Sequence, residues 1–222
     1  MAAVTLKYGT DGLHLDLPDT PGFVGVLEPR HQPAVEDPDG AVRESLIAPI
    51  SSSSLAEIAE GRSDAVIVVS DNTRPVPNKL LLPPILSTLE GAGIGAESIT
   101  ILIATGIHRP NEGEELDALI GADIARRYRV VNHYSRREED MVHAGEISGG
   151  TPVYVNRVYA EASLKILTGF IEPHMWAGYS GGRKSILPGI SSVKTLKFMH
   201  GPEMVANPNA TYGKLDGNPF HE

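Results

Sequence analysis

Residues 65 to 74, AVIVVSDNTR, decide the fold. Five β-branched or small apolar residues run together without polar alternation and stop at a polar, turn-forming loop. A run this short and this uniformly apolar reads as a strand buried on both faces, the signature of a parallel sheet sandwiched between helices. Working outward, NKLLLPPILSTLEGAG (78–93) reads as the helix that follows it. SITILIAT (98–105) is a second strand of the same kind, leading through GIHRP into an acidic helix from Asn111 to about Tyr128. A third, LKILTGFI (164–171), leads into EPHMW and a glycine-rich stretch. Strand, polar loop and helix in this order, three times over, predict a doubly wound parallel sheet. Ligands bind beyond the carboxyl ends of such strands, so the loops Asp71–Arg74, 106–109 and Glu172–Trp176 are expected to converge.

The flanks add smaller pieces. VTLKYG, a turn at Gly12, LHLDL and FVGVL (23–27) predict a small antiparallel N-terminal portion. Residues 29–41 read as a loop and 42–61 as helical, with Ser51 to Ser54 supplying N-caps and Gly61 the stop. RVVNHY, MVHAGEI and TPVYVN read as shorter strands of open pairing, and VKTLKFM as a helix ending at His200. The expected fold class is α/β: a doubly wound, mostly parallel sheet with a small antiparallel N-terminal portion, residues 1–222 forming a single domain. The tail, NPNATYGKLDGNPFHE (207–222), is polar and has no terminal cap, which predicts that the natural protein continues past Glu222.

Composition excludes several function classes. The 222 residues carry 19 Lys and Arg against 28 Asp and Glu, a formal net charge of -9. That field repels a phosphate backbone, so no nucleic-acid partner is expected. No run of roughly 18 apolar residues and no secretory leader are visible, so no membrane partner is expected and the cytoplasm is the expected location. With no cysteine there is no disulfide and no protein thiolate. Any metal must rely on histidine, carboxylates or sulfur brought by a cofactor.

The reactive residues concentrate in Glu172 to His200. GYSGGRKS (178–185) contains G-x-S-x-G, the spacing of a nucleophile elbow around Ser180, but EPHMWA before it is not the strand an elbow needs. The same residues approach a phosphate-binding P-loop, but Arg183 stands where that loop needs glycine. What survives is an anion site: Gly181 and Gly182 before a helix expected to start near Arg183, with Arg183, Lys184 and Ser185 beside it. A solvated turn with basic residues is the competing reading. His108 and His174 both follow apolar strands at the expected site end and can work as an acid and base pair. His14, His31, His133 and His143 read as structural or surface histidines, and His200 as a helix C-cap. Arg74 offers a carboxylate a bidentate fork, while Asp71 either serves the site or caps its own turn. Trp176 and Tyr179 either line a pocket or belong to the core.

SDNTRP (70–75), ATGIHRP (104–110), EPHMWAGYSGGRKSILPGI (172–190) and the later His200 together resemble the nickel-dependent lactate racemase family. The likeness covers most of the chain from about residue 65. It implies a nickel pincer nucleotide, a pyridinium-3,5-bisthiocarboxylate mononucleotide whose sulfur arms grip Ni(II). It further implies that Lys184 carries the cofactor covalently, that His200 ligates nickel and that His108 and His174 are the proton donor and acceptor pair. Asp71, Asn72, Thr73 and Arg74 would hold cofactor and substrate, with Gly181, Gly182, Arg183 and Ser185 at the cofactor and Trp176 and Tyr179 at the substrate.

The implied reaction is racemisation or epimerisation of a small 2-hydroxy acid, lactate by default, by proton-coupled hydride transfer to the pincer nucleotide. Family members carry a second α/β domain after the segment matching this tail, so 1–222 is expected to be an N-terminal, cofactor-anchoring half that does not turn over substrate by itself. Association into an oligomer is left open. Two rival readings remain: a non-catalytic anion- or nucleotide-binding domain, and a serine hydrolase using Ser180.

Overall fold

The structure, a computed structural model, describes residues 2–9, 11–17, 30, 32–147 and 150–222. The expected strand FVGVL, the turn before it and His31 lie outside the described residues. The chain divides into two compact units, Met1–Glu36 and Asp37–Glu222. In the first, β1 (Ala2–Leu6) and β2 (Leu13–Leu17) form an antiparallel hairpin, with Thr5 opposite His14 and the Thr5 hydroxyl 2.7 Å from the ring of His14.

The second unit begins with α1 (Pro38–Ile47), capped by the Asp37 carboxylate, and α2 (Leu55–Ala59). The single helix expected over 42–61 is therefore two. Pro49 cannot donate a helical hydrogen bond, and the chain restarts only where Ser54 and Glu57 close a reciprocal capping box. Then come β3 (Ala65–Ser70), α3 (Asn78–Gly91), β4 (Ile99–Ala104), α4 (Gly113–Ile120), α5 (Ala122–Arg127) and β5 (Arg129–Asn132). The acidic helix is broken at Gly121, whose φ of 96° lies where a side chain is disfavoured. β6 (Met141–Ile147) and β7 (Thr151–Asn156) make an antiparallel hairpin with a bulge between His143 and Gly145. α6 (Arg157–Glu161) leads into β8 (Leu164–Leu167).

β3, β4, β5 and β8 form one parallel sheet in the order β5-β4-β3-β8. Period-two alternation sorts its residues into two cores. Ile67, Val69, Ile101 and Ile103 face α3, α4 and α5, packing on Leu82, Ile85 and Leu89. Val66, Val68 and Leu102 face the other way, onto α6 and the segment carrying Ile186 and Ile190. Covering both faces explains why neither strand alternates with polar residues, and each such side chain contributes about 1.5–3 kcal/mol when removed from water.

The order also locates the site. From β3 the chain moves to β4 and β5 on one side and returns to β8 on the other, so connections diverge between β3 and β8. A crevice opens at that switch point, beyond the strands' carboxyl ends.

Candidate functional site

A cavity of about 450 Å³ occupies that crevice. Asp71 after β3, His108 after β4, and His174, Lys184 and His200 from the segment beyond β8 all line it. Arg74, Arg136 and Lys197 also line it, and Asp71 is its only carboxylate among the described residues. The cavity is cationic in an acidic protein, which suits an anionic ligand.

His108 is held by Asp71. The Asp71 side chain is 4% exposed, and its Oδ2 lies 2.6 Å from His108 Nδ1. An ionised carboxylate can only accept, so Nδ1 carries the proton and Nε2 keeps a free lone pair. Asp71 Oδ1 accepts from the Thr73 hydroxyl at 2.6 Å and from the Thr73 backbone N–H at 3.3 Å. It therefore both caps its own turn and orients an imidazole. Asn72 turns away from the cavity. Its amide donates to Glu115, which also takes a bidentate pair from Arg109 at 2.5 and 2.8 Å and a bond from Asn111 at 3.0 Å. Arg109 first, then Asn111, hold the Glu115 carboxyl down to about 2. Asn111 is fully buried; it accepts from Asn72 N–H and exchanges two bonds with Asn132. Glu115 thus clips the loop carrying Asp71 to the loop carrying His108.

His174 is held differently. β9 (Pro173–His174) pairs with β10 (Gly178–Tyr179), and the turn between them aims the N–H groups of Trp176 and Ala177 at His174 Nδ1, both at 3.2 Å. In the neutral ring the proton is then on Nε2, which lies 2.9 Å from Lys184 Nζ. The contact is complete only if Lys184 is a free amine that accepts. Burial, and then the charge of Arg74, lower the Lys184 amine to about 8. Burial, then Lys184 and Arg74, lower His174 to about 4. Arg74 itself pairs with Glu172 at 3.3 Å.

The glycine-rich stretch corrects one expectation. No α-helix starts near Arg183; Gly182–Ser185 is a single 3-10 turn. It offers no helix dipole, and the charge at this site comes from side chains. Gly181 has φ of 76°, and an added Cβ would come within 3.1 Å of the Phe170 carbonyl oxygen. The turn is instead tied to the end of β8: Ser185 donates to Thr168 O at 2.8 Å. Ser180 donates to Phe170 O at 2.6 Å and accepts from Glu172 N–H at 3.0 Å. Its hydroxyl is committed to backbone, with no imidazole bonded to it, which weighs against the hydrolase. Arg183 points to the tail, donating to His221 O at 2.7 Å. Tyr179 is 39% exposed and does not line the cavity.

His200 caps α7 (Val193–Met199), which precedes α8 (Pro202–Val205). Its Nδ1–H donates to Leu196 O at 2.9 Å, leaving Nε2 with a lone pair. Trp176 does not line the cavity but packs against His200, with ring centroids 5.6 Å apart, and Phe220 completes the cluster at 5.9 Å from Trp176 and 5.8 Å from His200. His133, in keeping with its structural reading, is buried between Ser191 O and the Asn156 amide.

Sequence reasoning missed Arg136, Lys197, Glu115, Asn218 and Phe220. Phe220 alone left a usable signal, as a large apolar side chain in an otherwise polar tail.

A family model described as the lactate racemase N-terminal domain matches residues 8–213. The lactate racemase of Thermoanaerobacterium thermosaccharolyticum is 39% identical over 100% of this chain and 52% of its own length. That of Lactiplantibacillus plantarum is 44% identical over 82% of this chain and 42% of its own. The solved lactate racemase apoprotein from T. thermosaccharolyticum superposes with a TM-score of 0.86, covering 99% of this chain and 51% of that one. A crystal structure from Thermotoga maritima, 24% identical with a TM-score of 0.66, shares the fold. The chain spans about half the length of the curated relatives it matches. By the extent of the family match and the identity to both racemases, this chain belongs to the lactate racemase N-terminal domain family.

Proposed function

We propose that this chain is the cofactor-anchoring part of a 2-hydroxyacid racemase, with lactate as the first substrate to test. The observation that carries the reading is one cationic cavity lined by two histidines fixed in different protonation patterns, beside a half-buried lysine whose amine is lowered to about 8.

The residues fit a nickel pincer nucleotide. Among the described residues no three His, Cys, Asp or Glu side chains group to hold a metal ion, and there is no cysteine in the chain. A nickel ion here would need most of its donors from the cofactor, with His200 adding one imidazole nitrogen. Lys184 would form the covalent anchor, and Arg74, Arg136 and Lys197 would face its phosphate or the substrate carboxylate. A volume near 450 Å³ falls within the range of roughly 300–1,000 Å³ common for small-molecule sites. When bound, the pincer nucleotide supplies the acceptor for the hydrogen on the substrate's α-carbon.

The chain's own part is positioning and proton handling. Arg74 clamps the carboxylate, which removes rotational freedom before reaction. His108 takes the hydroxyl proton at Nε2, and Asp71 stabilises the resulting imidazolium through Nδ1–H. With Lys184 in the cofactor link its nitrogen would no longer be basic, and His174 Nε2–H would be free to hydrogen-bond the substrate oxygen. For a proton to leave or reach Nε2, the ring must carry a proton on Nδ1 and give up the N–H groups of Trp176 and Ala177, since the neutral Nε2–H ring has only one proton.

The test is intact mass and nickel content of the protein produced with its cofactor-synthesis machinery. A mass increment on Lys184 with nickel is expected, and Lys184→Ala should lose it while remaining folded. An unmodified Lys184 without nickel would favour the non-catalytic binding domain.

A further inference from the structure

We propose that Asn218 is the positioning residue that sets the orientation of His200. This rests on the reading of His200 as the nickel-facing imidazole. Asn218 is fully buried, in a polar tail that otherwise looks dispensable. Its side-chain amide donates to Trp176 O at 2.8 Å and to Lys214 O at 2.9 Å, and its Oδ1 accepts from Phe220 N–H at 2.9 Å. One side chain therefore fastens the backbones of Trp176 and Phe220, the two residues whose rings flank His200.

The docking is built in from both sides. Gly178 has φ of 76°, and any Cβ there would collide with the carbonyl oxygen of Lys214. Gly213 N–H donates to Gly178 O at 3.0 Å, and Arg183 reaches the tail at His221 O. The tail can close on the 176–178 turn only because that glycine has no side chain.

The geometry gives Asn218 a specific task. His200 ends α7, and its own backbone fixes only Nδ1, through Leu196 O. A ring held at one atom can still tilt about that bond. Trp176 and Phe220 stack at 22° to each other and meet the imidazole edge-on at 69° and 71°, so together they limit the tilt. Without the Asn218 amide, neither aromatic residue is held to the other's backbone. Outer partners that orient a ligand ring typically change metal affinity about 10- to 100-fold when removed.

The experiment compares the native chain with Asn218→Ala by NMR of the His200 ring protons, and by mass and nickel analysis after production with the cofactor machinery. The aromatic walls should displace the native His200 resonances, and the variant should lose most of that displacement while His133 keeps its own. The Lys184 adduct should persist in the variant while nickel per adduct falls at least threefold. A folded variant with unchanged His200 shifts and unchanged nickel overturns the proposal, as does equal loss of adduct and nickel, which marks a general structural role. If Asn218→Ala does not fold, hydrogen exchange on the native chain decides. Fast exchange of the Asn218 amide and Phe220 N–H refutes the clip, and strong protection supports it. Native protein with neither adduct nor nickel would sink the nickel reading and leave the ring-shift result standing.

Discussion

The loops bearing His108 and His174 solve one problem in opposite ways. The His108 loop follows a long buried strand and is held by side chains: Asp71 grips the ring, and Glu115 joins the two loops. The His174 loop is a two-residue ladder whose backbone N–H groups grip the ring. A carboxylate fixes the proton on Nδ1 and leaves Nε2 to accept. Backbone N–H groups exclude the proton from Nδ1 and leave Nε2 to donate. The two rings are thus asymmetric before any substrate arrives, and the racemase proposed above would have to work in both directions. In that reading the cost of moving a proton at His174 falls on the 174–177 turn, whose N–H groups must release Nδ1.

The largest effect should come from removing the source of that asymmetry at His108. Asp71→Asn keeps the size but replaces an obligate acceptor by an amide that can also donate, freeing the imidazole to take the other tautomer. Racemisation by the cofactor-loaded enzyme should fall by about 10²- to 10⁴-fold, the span of general acid-base contributions. The ¹⁵N shifts of His108 should show Nδ1 losing its fixed proton. Unchanged ¹⁵N shifts would break the comparison at its stronger side.

At His174 the corresponding change is Lys184→Met. Lys184 is the second cause of the lowered His174 pKa, after burial. The variant's His174 should therefore titrate above 4 yet stay below the ordinary 6.5, because burial remains. The lysine leaves a stability signature as well. With a folded-state pKa near 8 against 10.5, it binds its proton less tightly when folded than when unfolded. The penalty is complete below about pH 8 and is relieved as pH rises toward 10.5. Denaturation midpoints of the native protein, relative to Lys184→Met, should rise across that window and be flat between pH 6 and 7. A flat difference throughout would mean that Lys184 is not desolvated.

How much of this could be read beforehand divides along the same line. The strands at 65–70 and 99–104, their parallel pairing and the convergence of three loops follow from uninterrupted apolar runs, which local sequence displays directly. Strand ends and motif spacing brought out Asp71, Arg74, His108, His174 and Lys184, whereas His200, a helix C-cap by its local residues, was pointed to by the family resemblance alone. The segment after Leu167 was less legible. Its shape comes from hydroxyl-to-carbonyl bonds such as those of Ser180 and Ser185 and from positive-φ glycines, which have no periodicity, so a 3-10 turn was read as a helix start. Asn218, Glu115 and Asn111 act over long sequence separations, and no local pattern announces a partner that far away.

Glu115→Gln tests the clip itself. Glutamine keeps the size but has one acceptor oxygen, so it can accept from only one of Asn72 and Asn111, and it loses the charge that makes the Arg109 fork strong. The loops should shift slightly rather than part, so kcat/KM should fall on the order of tenfold, below the hundredfold that a misplacement of about 1 Å can cost. The fall should appear mainly in kcat, since no substrate contact is removed.

Arg109→Ala should do least. Its side chain is 68% exposed, and an ion pair so open to solvent contributes little to stability. Asn72 and Asn111 would still hold Glu115, although its carboxyl should titrate above its present value of about 2 once its largest partner is gone. Stability at pH 7 should barely change, and the ¹⁵N pattern of His108 should be untouched. If Arg109→Ala instead matched Glu115→Gln in kcat, the arginine rather than the carboxylate would be the element that joins the two loops. The His108 side would then depend on a surface ion pair, and its activity should weaken steeply with added salt.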